Sequence, residues 1–363
     1  MTSLRPTPLC KRLGIRFPIF GFSHSIDVVV ALARAGGFGV LGLAREMPDE
    51  VPEIIAETER RLDGLPYGVD LMLPQNVPAT GDLGTLQASL PAGHRDFVAD
   101  LTQRFGLGQA SRPSFFTTQV RSEALFERQA EHVLASNAQM VATAIGIRSS
   151  LIERARAAGK LTASLVGSVR HAQKAIATGV DVLVAQGYDA GGHTGPIGTM
   201  SLIPQIVAAA AGRPVLGAGG IATGGQILAC QAMGAEGAWL GTLWMAAAEN
   251  HTPPRLLERL VAGRSEDTVI TRAHSGKPCR VIRSEWIDAW AGPDAPEPLS
   301  MPAQQALTGD AFTAMHERDD ARTIYEAAGQ SVFAIRGPTT VAEQFATLLR
   351  EAEEAWCRLS DSN

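Results

Sequence analysis

The chain of 363 residues predicts an α/β fold, a (β/α)8 TIM barrel, on three observations. Eight short apolar runs recur before Gly241, each bounded by glycine, proline or polar residues. Segments with helical patterning separate them, and parallel strands need such crossovers because a hairpin joins only antiparallel neighbours. The eight units fill roughly 240 residues, the size of a closed barrel. An open doubly wound sheet is the alternative.

The elements follow in order. Residues 18–21 are the first strand, and 26–35 a helix that Gly36-Gly37 stops. Residues 38–41 are the second strand, with a helix over 49–62 after Pro48. The third strand spans 67–71. Residues 74–113, rich in Pro, Gly and polar side chains, read as an irregular insertion or lid, because a connection this long is usually functional. A helix over 119–135, a fourth strand over 139–144 and a helix over 149–158 follow. The fifth and sixth strands are 161–166 and 181–185, with a helix over 168–178 between them. A helix over 201–211 leads to the seventh strand, 214–217. A helix over 223–233 leads to the eighth, 237–240.

After Asn250 the alternation stops. Residues 251–363 read as a C-terminal helical extension packed on the barrel, ending in an amphipathic helix over 339–356. The whole chain, 1–363, reads as one domain.

Composition narrows the function. Hydrophobic content of 45% and charged content of 19% fit a globular protein with a large core. A formal charge of -5 leaves no basic footprint for nucleic acid and no polybasic membrane anchor. No window approaches about 18 uninterrupted apolar residues, so no membrane span is expected. Pro6, Lys11, Arg12 and Arg16 interrupt the N-terminal stretch, which argues against a secretory signal. Cys10, Cys230, Cys279 and Cys357 lie far apart, as free thiols in a cytoplasmic protein would, and suggest no metal site.

The densest functional signal is Ala185-Gln186-Gly187-Tyr188-Asp189-Ala190-Gly191-Gly192-His193-Thr194-Gly195, directly after the sixth strand. Its glycines let a ligand approach the backbone closely. His193 is the candidate catalytic group, since imidazole moves protons near neutral pH. A second signal is Gly217-Ala218-Gly219-Gly220-Ile221-Ala222, which taken alone fits a dinucleotide fingerprint. A Rossmann unit needs further βαβ repeats downstream, and only one strand follows. In a barrel, Gly219 and Gly220 end the seventh strand, while Gly241 and Thr242 end the eighth. Those two ends commonly build a phosphate site from backbone N–H groups. His24 and Asp70 fall just past the first strand and at the end of the third, on the same barrel face. His94, His132, His171, His251, His274 and His316 read as surface or helix residues, and Trp239 and Trp244 as packing.

Taken together these motifs resemble the nitronate monooxygenase (2-nitropropane dioxygenase-like) family of FMN-dependent TIM-barrel oxidoreductases. The residues that carry the resemblance are Gln186-Gly187, Ala190-Gly191-Gly192-His193, Gly195, Ala218-Gly219-Gly220-Ile221-Ala222, Gly234-Ala235, Gly237 and Gly241-Thr242. Ala35-Gly36-Gly37-Phe38-Gly39 and Ser275-Gly276-Lys277-Pro278 add to it. The resemblance implies FMN held by Gln186, Gly191, Gly192, Gly219, Gly220, Gly241 and Thr242, with Asp70 beside it. It implies His193 as base or polar partner of the substrate, with Phe22, His24 and Tyr188 lining the substrate mouth. It implies a small-molecule nitronate or nitroalkane as substrate and O2 as electron acceptor, and leaves a homo-oligomer open. FMN-dependent NAD(P)H reductases of the enoyl-ACP or quinone type share much of the motif set and are the alternative. A non-catalytic flavin-binding protein is a third reading. Two departures from the family stand out. Gly21-Phe22-Ser23-His24-Ser25 replaces an Ala-Pro-Met-type turn, and Gly68-Val69-Asp70 carries a carboxylate where the family has Asn. A negative charge there would disfavour an anionic reduced flavin unless Asp70 is protonated or paired.

Overall fold

The computed structural model of the protein describes residues 3–72 and 77–360. Eight parallel strands close into a barrel: β1 (Ile19–Ser23), β2 (Phe38–Gly42), β3 (Tyr67–Met72), β4 (Met140–Ala144), β5 (Leu161–Val166) and β6 (Val182–Gln186), then, beyond a two-residue strand β7 (Gly192–His193), β8 (Val215–Ala218) and β9 (Gly237–Leu240). β6 pairs with β8, and β9 closes on β1 with Phe20 opposite Trp239. The predicted closed barrel is therefore present, and the open sheet is excluded.

Alternation along each strand explains why these sequences close. Phe20, Phe38, Val40, Met140, Ala142, Leu161, Val182, Val184 and Leu216 share one face and fill the interior as a dry cluster. A side chain at Gly68 would strike the Phe38 ring at 2.8 Å, so a missing side chain makes room for a large one. The opposite face, including Val69, Leu71, Leu183 and Ala185, packs under the surrounding helices. By the same alternation Asp70 and Gln186 point inward at the C-terminal ends of β3 and β6.

Helix boundaries follow local signals. Gly36 ends Ile26–Ala35 in the left-handed region, its N–H bonded to Ala33 and Leu32 carbonyls. Thr223 and Gln226 form a capping box that starts Gly224–Ala232.

Two regions differ from expectation. The insertion after β3 is more regular than its composition suggests, with helices at Leu83–Ala88 and Ala92–Phe105. Asp82 caps the first through the N–H groups of Gly84 and Thr85, and Gly106 closes the second. Residues 74–76 of the expected lid lie outside the described residues. The C-terminal extension is helical over Pro254–Ala262, Glu285–Trp290, Ala303–Arg318 and Val341–Ser360, but it also supplies β10 (Thr268–Thr271) and β11 (Cys279–Ile282). These form an antiparallel sheet with β7, in the order β10-β11-β7, so the extension builds structure onto the loop that carries His193. The terminal helix packs so closely that a side chain at Gly224 would meet the Leu348 carbonyl at 2.0 Å. No helix among the described residues is long and apolar enough to cross a membrane.

Candidate active site

The candidate residues converge on one end of the barrel because parallel strands place all their C-terminal ends together. His193 sits on β7 opposite Cys279 of β11. Its Nε2 lies 2.7 Å from the Ser275 hydroxyl, and Ser275 is fully buried. The same hydroxyl lies 3.4 Å from both the N–H and the carbonyl of Lys277. One proton arrangement satisfies all three groups: Lys277 N–H donates to Ser275, Ser275 donates to the Lys277 carbonyl, and His193 Nε2–H donates to Ser275. Nδ1 then keeps its lone pair. Burial, reinforced by the nearby His274, Arg121, Lys277 and Arg45, pulls the His193 pKa down to about 3, so the ring is neutral across the ordinary pH range.

His24 is a second imidazole at the mouth, and it keeps a solvent-exposed edge. Its Nδ1 pairs with the Gly42 carbonyl at 2.9 Å, and desolvation of the ring, with Arg45 nearby, lowers its pKa to about 4. The Phe22 ring meets His24 edge-on at 5.3 Å and stacks near-parallel to Trp239 at 6.4 Å. Both rings lie over Gly42, where a side chain would strike Phe22 at 2.7 Å and His24 at 2.9 Å. His274, expected at the surface, instead lies beside this group. It packs edge-on against Phe312 and Tyr325, and burial lowers its pKa to about 4.

Asp70 is 6% exposed, and its carboxyl has no hydrogen bond or ion pair among the described residues. Burial alone pushes its pKa well above the usual carboxylate range. Gln186 faces inward from β6, also without a side-chain partner among the described residues. Two inward polar groups without protein partners mark a place where a polar ligand is received.

Glycines follow the ends of β8 and β9, where a phosphate corner was expected. Gly219 and Gly220 adopt φ of +97° and +69°, and Gln226 holds the Gly220 carbonyl at 2.9 Å. The N–H groups of Gly219, Gly220, Gly241 and Thr242 have no acceptor among the described residues. A side chain at Gly241 would meet nothing within 4 Å, so open space faces it. The Thr242 hydroxyl accepts from Gly329 N–H at 2.9 Å and keeps its own proton for donation. A cavity of about 260 Å³ opens beside Gly219 and Gly220; Met200, Ile203, Ala229, Cys230, Met233 and Phe333 make most of its wall apolar, and Gly241, Thr242, Asp70 and His193 lie outside it. These features fit a bound phosphate ester with a polar, planar ring system reaching the barrel axis. Gln226 and Gly329 were not singled out from the sequence, and Ser275 was noted only within the Ser275-Gly276-Lys277-Pro278 segment without a role, because each acts through a partner far along the chain or through its backbone.

Two expected contacts are placed differently. Gly191 packs on the extension, where a side chain would meet Gly329 N at 2.6 Å, while Gly192, at φ +78°, faces open space. The Tyr188 ring is 39% exposed and lies under the Arg280 guanidinium at 4.5 Å, held there rather than against Phe22 or His24.

A closed parallel barrel with polar groups and glycine-rich strand ends gathered at its mouth defines an enzyme-like TIM barrel. Residues 8–351 match the nitronate monooxygenase family, and the chain belongs to that family, which is flavin-dependent. A Mycobacterium tuberculosis protein named "Putative monooxygenase Rv1533" is 41% identical over 312 residues, covering 84% of this chain and 83% of that protein. The crystal structure of nitroalkane oxidase from Streptomyces ansochromogenes is 27% identical with a TM-score of 0.81, covering 96% of this chain and 99% of the other. FabK from Thermotoga maritima shares the fold, with a TM-score of 0.76 at 22% identity and coverage of 98% and 99%. The chain is thus an oxidoreductase of the nitronate monooxygenase type.

Proposed function

We propose that the chain is an FMN-dependent monooxygenase that oxidises alkyl nitronates, or their parent nitroalkanes, with O2. The observation that carries this reading is the meeting, at one barrel end, of a neutral histidine, two unpartnered inward polar groups and four free backbone N–H donors. FMN is favoured as the flavin because the glycine ends of β8 and β9 suit a phosphate monoester.

The protein's part follows from its own atoms. The N–H groups at Gly219, Gly220, Gly241 and Thr242, with the Thr242 hydroxyl, would bind the phosphate. Asp70, as a neutral acid, would donate a hydrogen bond to the ring system. Gln186 would offer its amide from the neighbouring side. A flavin bound there would supply the redox chemistry that links oxidation of the nitronate to O2. His193 Nδ1 would accept the α-proton of a neutral nitroalkane or hold the substrate in place, with Ser275 fixing the ring through Nε2. The buried Trp239 and Ala218, with the partly buried Phe22, would exclude water from below.

The test is His193→Asn. Turnover of neutral nitroalkanes should fall by roughly 10²–10⁴-fold with FMN content unchanged. Preformed nitronates, whose α-proton is already gone, should suffer less. Equal losses on both substrates would remove the base role and leave positioning.

A further inference from the structure

Arg121 lies between helices Phe115–Thr118 and Glu123–Ala135 and is 5% exposed. Its guanidinium sits over the rings of Phe115 and Phe116, at 5.5 and 5.1 Å from their centres. Nη2 donates to the Ala44 carbonyl just past β2 at 2.9 Å, and Nε has no partner among the described residues. No carboxylate pairs with it among the described residues, and residues 73–76, the one internal stretch outside them, contain no Asp or Glu. The charged group that acts on it is a second cation, Arg45. Arg45 is already bound by Glu326 through two bonds of 3.0 Å. The half-buried Arg45 therefore has a carboxylate, and the buried Arg121 beside it has none among the described residues. Aromatic faces and a single carbonyl do not offset the desolvation of a full charge.

The position of this charge is as informative as its lack of a partner. Its Ala44 anchor lies two residues beyond Gly42, whose carbonyl holds His24 Nδ1, so Arg121 sits at the same strand end as His24, and its charge opposes protonation of His24 and His193. Those histidines and His274 are neutral, so they bring no positive charge to the mouth. Lys277 also acts on His193, but it is half-buried and screened by water. Fixed positive charge at the mouth falls to the Arg45–Arg121 pair, and only Arg121 is uncompensated.

We propose that Arg121 is the anion-binding residue of this active site, and that the counterion it lacks is the substrate's own planar two-oxygen anion, a nitronate or a carboxylate. A guanidinium presents parallel N–H donors in a plane that matches such a group. The choice of anion rests on the function proposed above; the presence of an anion site does not.

The experiment uses the FMN-loaded protein, Arg121→Met and Arg121→Lys. The probes are isobutyrate (an unreactive planar anion of the same shape as propyl-2-nitronate), propyl-2-nitronate itself and neutral 2-nitropropane. The wild type should bind isobutyrate, seen as a perturbed flavin spectrum and a raised Tm. In Arg121→Met that binding should weaken by about tenfold or more, as expected for loss of a buried charge partner. KM for propyl-2-nitronate should rise by a similar factor if Arg121 holds the nitronate, and stay unchanged if it holds a separate carboxylate. KM for 2-nitropropane should move by less than about twofold, and Arg121→Lys should fall between. Without ligand, Arg121→Met should melt no lower than the wild type, because a lone buried charge has been removed. Unchanged isobutyrate binding, or a lower melting point with unchanged affinity for both anions, would overturn the proposal and make Arg121 a structural prop. A wild type that loses isobutyrate on mutation yet never oxidises propyl-2-nitronate would sink the proposed activity and leave the anion site standing.

Discussion

Asp70 and His193 are both held neutral by burial, but with opposite consequences for pH. The folded pKa of Asp70 lies above its unfolded value of 3.8. The folded protein therefore keeps a proton that the unfolded chain has released, and this burial costs stability as pH rises above about 4. Asp70→Asn keeps the shape and removes the charge. It should raise the Tm of the ligand-free protein at about pH 8 and leave it nearly unchanged near pH 4; equal effects at both would contradict a buried neutral acid. His24, His193 and His274 run the other way, with folded pKa values of about 4, 3 and 4 against 6.5 when unfolded. As pH falls below about 6.5 the unfolded chain takes up protons first, so stability should decline steadily toward pH 4 in urea titrations. For catalysis, the same depression means that His193 stays unprotonated. The pH profile of kcat/KM for neutral nitroalkanes should therefore show no protonation of this ring between about pH 5 and 8. Ser275→Ala should slow that step by about tenfold, as loss of one orienting hydrogen bond would. An unchanged rate would show that the β7–β11 pairing alone orients the ring.

At the scale of elements, the glycine ends and the strand-helix alternation were legible because both are local in sequence. Gly219-Gly220 and Gly241-Thr242 fall where the barrel repeat places the seventh and eighth strand ends, and the structure puts them there. What escaped was long-range. His193 and Ser275 are 82 residues apart, and no local pattern announces that β11 will pair with a two-residue strand. The insertion looked irregular because Pro, Gly and polar residues together make up most of its composition. Yet Asp82, capping through Gly84 and Thr85, and Pro91, just ahead of Ala92–Phe105, are helix starts in plain view. Arg121 and His274 escaped because burial of a charged or titratable side chain is decided by packing, not by its neighbours in sequence. Gly241→Ala probes the glycine end cleanly. Its φ is -126°, and a Cβ there meets nothing within 4 Å. The variant should fold with a Tm close to wild type while its FMN affinity falls by about tenfold or more, since only a ligand would meet the added methyl. Unchanged affinity would move the phosphate away from this corner.

At the scale of the molecule, the C-terminal extension is joined to the mouth through charge as well as through β10 and β11. Glu326 of the extension binds Arg45, which follows β2, and His316 approaches the same carboxylate at 3.8 Å. Glu326→Gln would leave Arg45 and Arg121 together without a counterion. The loss should be roughly 2 kcal/mol, below the 3–5 kcal/mol of a fully enclosed pair because both side chains keep some exposure. A Tm equal to wild type would show that water screens this cluster in solution. The measurement that bears most directly on the whole reading is an absorbance spectrum of the purified, FMN-loaded protein under anaerobic conditions, before and after propyl-2-nitronate and, separately, NADH and NADPH. The expected result is loss of the flavin bands with the nitronate, their return on admitting O2, and no change with either nicotinamide. Bleaching by a nicotinamide but not by the nitronate, or no flavin bound after reconstitution with FMN, would contradict it.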